Sequence, residues 1–337
     1  MSSSRTSPRI VIAGASSLLG SELKSLLEES RFAGWDLRLV DEEDVAGTLT
    51  EAAGEAALIQ RIEEDTFHGA RFAFLAGSPS FGKQCIRAAK EAGATIIDFS
   101  RASLSDPDAT PWFPGIEKLS GRSIAKNAKT FSVFSVAGTA VASLGLLLRR
   151  YGLLRLVVVF HQPVSEAGRR GIEELETETS QLLSFQPVGC EVFGTQTAFN
   201  LLPRYGEKSG QDLLRHELGI RAEVSAAVGD PAEDAKISLN LIHAPVFYGM
   251  TFSACADLET ELKLETLEDE LRQGGFVLIP TTEPGPSNVS VAGENSISLR
   301  VPQRDSARAS SWWFWGAADN LRVPAWSGCK LAEWLDT

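Results

Sequence analysis

The chain has 337 residues, of which 43% are hydrophobic and 23% charged, and a formal net charge of -12. That length favours two domains over one core, the composition leaves no room for long disordered tails beyond Met1 to Ser7, and the negative charge argues against nucleic acid or an anionic membrane as partner. No apolar run reaches the ~18 to 20 residues of a spanning helix and no signal pattern opens the chain, so a cytoplasmic location is the default.

After Pro8 the run R-I-V-I-A-G-A predicts a buried parallel strand, and S-S-L-L-G-S-E-L-K-S-L-L-E-E a helix. Trp35 to Val40 predicts a second strand ending at Asp41, Arg71 to Ala76 a third, Gly82 to Ala92 a helix and Thr95 to Phe99 a further strand. This alternation predicts a doubly wound parallel sheet. Ser105 to Gly121, rich in Pro, Asp and Gly, is expected to be irregular. Beyond a boundary near residue 130, Ala137 to Tyr151 predicts an apolar helix, Leu154 to His161 a strand and Gly171 to Leu183 an acidic helix. Lys236 to Pro245, Gly249 to Leu258, Asn295 to Val301 and Ser311 to Ala317 predict strands, which makes the second domain α+β with an antiparallel or mixed sheet. Ala325 to Leu335 predicts a last helix returning to the first domain. The expected division is 1–132 with 320–337, and 133–319.

Gly14, Ala15, Ser16, Ser17, Leu18, Leu19 and Gly20 lie between strand and helix, the setting in which backbone amides and a helix N-terminus hold a pyrophosphate. Ser17 stands at the middle glycine of a G-x-x-G-x-x-G pattern. Tight helix-on-strand packing explains the same glycines, so both readings stay open. Asp41 lies where an acidic residue binds an adenosine ribose, and Glu42, Glu43 and Asp44 would repel a 2′-phosphate, which favours NAD over NADP. A solvated acidic loop explains those three equally well.

Arg155 to Thr179 reads R-L-V-V-V-F-H-Q-P-V-S-E-A-G-R-R-G-I-E-E-L-E-T-E-T. This resembles the aspartate-semialdehyde dehydrogenase family, whose members read V-V-V-S-T-Y-Q-A-V-S-G-A-G before a G-I-x-E-L helix. Similar stretches occur at Val192 to Pro203, Asp106 to Asp108, Ala318 to Arg322 and the opening G-A-x-x-x-x-G, in the family's order. The resemblance implies a Rossmann-like N-terminal domain and a C-terminal dimerisation domain, NAD or NADP as cofactor with Ser165, Gly168 and Asn320 added to the turn, and a homodimer through the second-domain sheet.

The family's cysteine thiolate attacks an aldehyde, hydride leaves to the nicotinamide, and phosphate releases the acyl group. Ungapped counting from Gln162 places that cysteine on Ser135 and the glutamine of its N-C-x-x-x-Q box on Thr139. The family's base histidine falls on Met250 and its substrate-binding arginine on His243. Ser135 is expected to have no group nearby to deprotonate it. His161 and Cys190 form the best substitute pair, against the plainer reading of a strand-end histidine and a small buried hydrophobe. His68 and His216 are expected at the surface, and Trp313 and Trp315 on one sheet face with Trp312 on the other. Cys85, Cys190, Cys255 and Cys329 lack C-x-x-C spacing, so no metal site or disulfide framework is expected.

These readings point to a family member without the thiol-dependent reaction, a dimer binding NAD(P) or a small ligand and associating with an authentic family enzyme. The alternatives are an active NAD(P)-dependent oxidoreductase that passes hydride directly to an oxo group or imine, and a purely structural dimer.

Overall fold

The computed structural model describes residues 8–337 apart from Ala53. The chain divides into two compact units, one taking in the residues up to Pro114, Ser123–Phe134 and Pro324–Thr337, the other Gly115–Arg122 and Ser135–Val323.

The first unit is built on six parallel strands: β1 (Arg9–Ala13), β2 (Asp36–Val40), β5 (Ala70–Leu75), β6 (Thr95–Asp98), β7 (Thr110–Trp112) and β8 (Thr130–Val133), in the order β2-β1-β5-β6-β8-β7. Helix α1 (Leu18–Glu28) follows β1 and α2 (Pro79–Glu91) follows β5. The central strands are apolar on both faces, as a covered parallel sheet requires, and Val11, Ile12, Phe74 and Ile97 are fully buried. A small hairpin, β3 (Leu49–Ala52) and β4 (Glu55–Leu58), lies between β2 and β5 in the chain and was not foreseen.

The last helix, α9 (Arg322–Leu335), packs on this sheet through its residues beyond Val323. Trp112 Nε1 donates to the Ser327 carbonyl at 3.1 Å, Trp112 stacks on Trp334 with centroids 5.8 Å apart, and a Cβ on Gly328 would collide with the Phe99 ring. The stretch expected to be irregular holds β7 and, in the second unit, α3 (Ile116–Ser120), each too short for its periodicity to show against the Pro and Gly around it.

In the second unit α4 (Val136–Leu148) leads into β9 (Leu153–Gln162), followed by α5 (Gly168–Leu183), α6 (Leu213–Val228) and the single turn α7 (Pro231–Asp234). Then come β10 (Ile237–His243), β11 (Met250–Leu258), α8 (Leu264–Gln273), β12 (Val277–Ile279), β13 (Ser298–Arg300), β14 (Gln303–Arg304) and β15 (Ser311–Ala318). The sheet order is β10-β9-β11-β15-β13-β12, with β14 beside β15. It is mixed: β10 runs parallel to β9, while β11 is antiparallel to β9 and β15.

The alternation in β9, β11 and β15 sends Phe160, Phe252, Trp312 and Phe314 into the core. Trp313 and Trp315, 45% and 37% exposed, stay on the other face with the partly exposed Val157 and Val159. Among the described residues no helix is long and apolar enough to cross a membrane.

Candidate functional site

In the first unit the turn after β1 is shaped by Gly14, whose φ of +87° favours glycine and whose Cβ would strike the Gly77 backbone. A Cβ on Gly20 would strike the Gly14 carbonyl, so the outer glycines let helix and strand pack closely. Ser17 caps α1, its Oγ accepting the Gly20 N–H at 2.8 Å. The Gly14 and Ala15 N–H groups go to the Val40 carbonyl, while Asp41 accepts Ser16 N–H at 2.8 Å and Glu42 N–H at 2.9 Å.

Among the described residues the first-turn amides of Leu18 and Leu19 have no hydrogen-bond acceptor, as is usual at a helix N-terminus, where an anion can take them. Each Asp41 oxygen keeps a lone pair for a ribose hydroxyl, so the turn and Asp41 fit a dinucleotide. Asp41 also lines a cleft of about 600 Å³ with Glu42, Glu43, Asp44, Arg61 and Phe81. Four carboxylates face one guanidinium there, and Arg61 already pairs with Glu63 at 3.3 Å.

In the second unit Asn320 is buried and ties three segments together. Its Nδ2 donates to Ser165 Oγ at 3.1 Å and Glu166 Oε1 at 2.9 Å, and its Oδ1 accepts Gly249 N–H at 3.1 Å. Gly168, with φ of +73°, makes the bend into α5.

Ser135 is the N-cap of α4. Its Oγ accepts Gly138 N–H at 3.1 Å and donates to Glu223 Oε2 at 2.6 Å, while its own N–H reaches Glu223 Oε1 at 3.3 Å. The expectation that nothing stands near this hydroxyl to take its proton is therefore corrected: a buried carboxylate does, brought from α6, 88 residues along the chain. Thr139 lies one residue after Gly138, with its N–H bonded to the Ser135 carbonyl. Met250, 3% exposed, begins β11 opposite Ala318.

His243 ends β10, fully buried, with Nδ1 3.3 Å from the Tyr205 hydroxyl and the rings of Phe193 and Tyr205 both 5.5 Å away. Its Nε2 has no hydrogen bond of normal geometry. Burial lowers its pKa from 6.5 to about 4, against the weaker upward pull of Glu178, so at neutral pH this imidazole is uncharged and cannot clamp a carboxylate as an arginine would.

That depression makes folding sensitive to acid. Between pH 6.5 and 4 the unfolded chain binds a proton that the folded one refuses, so stability is full above pH 6.5 and falls on acidification by up to about 3 kcal/mol. His161, also lowered by burial, adds in the same direction. Urea unfolding at pH 7 and 4.5 should show a smaller difference for His243→Gln than for the parent, and equal differences would remove His243 as the source.

His161 and Cys190 are not brought together. His161 lies on the outward sheet face, bonded to Thr251 Oγ1 at 3.1 Å and 5.9 Å from the Trp315 ring. Cys190 donates to Glu178 at 3.4 Å, and burial, with that carboxylate, pushes its pKa up to about 11. Burial raises the Cys85 thiol to about 12 and lifts Cys255 as well. These three are the reverse of the activated thiolates that such chemistry needs.

His68 is exposed as expected. His216 is not a plain surface residue: it is half-buried, with Nδ1 3.1 Å from Gln162 Nε2 and 3.3 Å from its Oε1. The residues missed from the sequence are Glu223, Gln162, Tyr205 and Glu178. Gln162 could have been found, since it is the glutamine shared by the two quoted V-V-V motifs.

Residues 9–120 match the family model described as "Semialdehyde dehydrogenase, NAD binding domain", and residues 144–323 the one described as "Semialdehyde dehydrogenase, dimerisation domain". Relatives include the USG-1 protein homolog of Azotobacter vinelandii, 28% identical over 334 residues and 97% of each chain. The aspartate-semialdehyde dehydrogenase of Bacillus subtilis (strain 168) is 22% identical over 343 residues, 97% of this chain and 96% of that one. The solved structure of a probable aspartate-semialdehyde dehydrogenase from Pseudomonas aeruginosa superposes with a TM-score of 0.85 at 25% identity, covering 98% of this chain and 99% of that one. With one domain matched on each side of the Ser135 segment, the chain belongs to the semialdehyde dehydrogenase family.

Proposed function

We propose that this chain has given up the thiol-dependent reaction and works as a NAD-binding homodimer. The observation that carries the reading is the state of Ser135: its lone pair caps α4 and its proton is held by Glu223. A serine hydroxyl is intrinsically a much weaker nucleophile than a thiolate, and this one gives a lone pair to the helix cap. Met250 offers no titratable atom at the position of the family's base histidine, and the group that stands by the hydroxyl instead, Glu223, is tied to the Ser135 N–H as well.

The carboxylates around Asp41 favour NAD over NADP, because a 2′-phosphate would have to sit among them. The nicotinamide supplies a hydride acceptor or donor, and the turn at Gly14 holds and orients its dinucleotide. The Trp313 and Trp315 face is the apolar surface on which two copies would pair.

The test is turnover of aspartate semialdehyde with phosphate and NAD or NADP, where the rate should equal the enzyme-free blank and a phosphate-dependent rate would overturn the reading. The Ser135–Glu223 pair favours one second reading, direct hydride transfer to an oxo group, in which a proton taken up from solvent by Glu223 passes through the Ser135 hydroxyl to the new alkoxide oxygen. NADH oxidation across a panel of aldehydes and ketones separates the two.

A further inference from the structure

The N-terminus of a helix is a place for an anion, because its first amides lack partners and its dipole is positive there. At the head of α4 an anion already stands, and it belongs to the chain. Glu223 accepts the Ser135 N–H through Oε1 and the Ser135 hydroxyl through Oε2.

The arrangement has the logic of a capping box with one member moved. In a capping box the residue three after the N-cap carries the carboxylate that returns to the N-cap N–H. Here that residue is Gly138, and the returning carboxylate comes from α6. A Cβ on Gly138 would collide with Glu223 Oε2 and press on its Cδ at 2.9 Å, so the glycine makes the room that the carboxylate fills. Glu223 is 1% exposed, so little of that room remains for a ligand.

We propose that Glu223 is the built-in occupant of the anion position beside Ser135, the specificity-determining residue that closes this place to phosphate and to small carboxylates. The inference rests on the reading of Ser135 as the nucleophile's position, and it names the co-substrate class that is shut out. A second anion there would meet a like charge within hydrogen-bonding distance of the same donors.

The test uses the full chain and its Glu223→Ala and Glu223→Gln variants, with inorganic phosphate and formate as probes at constant ionic strength. Phosphorus NMR line width and melting temperature are the readouts. Removing the carboxylate should let Glu223→Ala bind phosphate at least ~10-fold more tightly than the parent. Formate should raise its melting temperature saturably, while neutral formamide should not. Glu223→Gln fills the same space with a neutral amide and should bind neither anion.

A parent chain that binds phosphate as tightly as Glu223→Ala overturns the inference, as does a folded Glu223→Ala without any anion response. If that variant folds only poorly, formate should recover it where equimolar chloride does not, and equal recovery counts against the idea. Phosphate binding by the parent that Glu223→Ala does not strengthen, without turnover, would sink this inference alone; turnover without phosphate binding at Ser135 would sink the proposed function instead.

Discussion

Glu178→Ala is expected to destabilise the second unit by about 3–5 kcal/mol, the cost typical of removing one partner from a buried charged network. Glu178 is fully buried in α5. Its Oε2 accepts Thr197 N–H at 2.8 Å, Thr197 Oγ1 at 2.7 Å and Ala198 N–H at 2.7 Å. One turn earlier Glu174 takes the N–H groups of Val192 and Phe193 at 2.5 and 3.0 Å.

These two carboxylates are the scaffold of the 190–198 segment, and that segment sets Phe193 against Tyr205 and His243. Alanine leaves these three donors and the Cys190 thiol without their acceptor, and a gap beside them. Urea unfolding gives the loss, and amide exchange should rise first at Val192, Phe193, Thr197 and Ala198. Glu178→Gln, which keeps one carbonyl oxygen, should lose only about 1–2 kcal/mol. A loss under about 1 kcal/mol for the alanine variant would mean that the segment is held by something else.

Gly14→Ala should destabilise the first unit by about 3 kcal/mol or more and abolish dinucleotide binding, because two costs coincide. A left-handed residue with a Cβ loses about 1–2 kcal/mol through its own backbone, and here the methyl group must also displace the Gly77 main chain, a clash worth roughly another 1–3 kcal/mol. Gly93→Ala is the control: φ is +76° and nothing lies within 4 Å, so only the first cost applies. Thermal unfolding with and without NAD measures both variants. If the two lose the same stability, the contact between the turns at Gly14 and Gly77 yields more easily than its geometry implies.

The parallel sheet of the first unit was legible because its central strands are short unbroken apolar runs set between amphipathic helices. The mixed sheet was legible because alternation in β9, β11 and β15 separates Trp312 from Trp313 and Trp315. Helix α6 was not legible, and it carries Glu223. Its Leu214 and Leu218 are each 60% exposed while Glu223 is buried, so its polarity runs against the usual stripe.

The same inversion hid Glu174 and Glu178. In G-I-E-E-L-E-T-E-T every glutamate reads as solvated, and only the folded position of the 190–198 segment distinguishes those that hold it. Ser135 was reached by counting from a motif, but its partner lies on another helix and no local spacing announces it. His216 looked like a surface residue because its neighbours are polar, although the group that engages it, Gln162, ends a buried strand.

Helix α9 has a bearing on how the protein is made. The sheet of the first unit is translated first, yet Trp112, Ile97 and Phe99 meet their cover only when α9 emerges, some two hundred residues after them in synthesis. Through that interval the flank stays uncovered while the second unit, which itself runs to Val323, is still being made. Vectorial synthesis therefore leaves both halves unfinished until the end of the polypeptide appears, and a ribosome stalled before Arg322 would hold a nascent chain whose unshielded strands call for a chaperone.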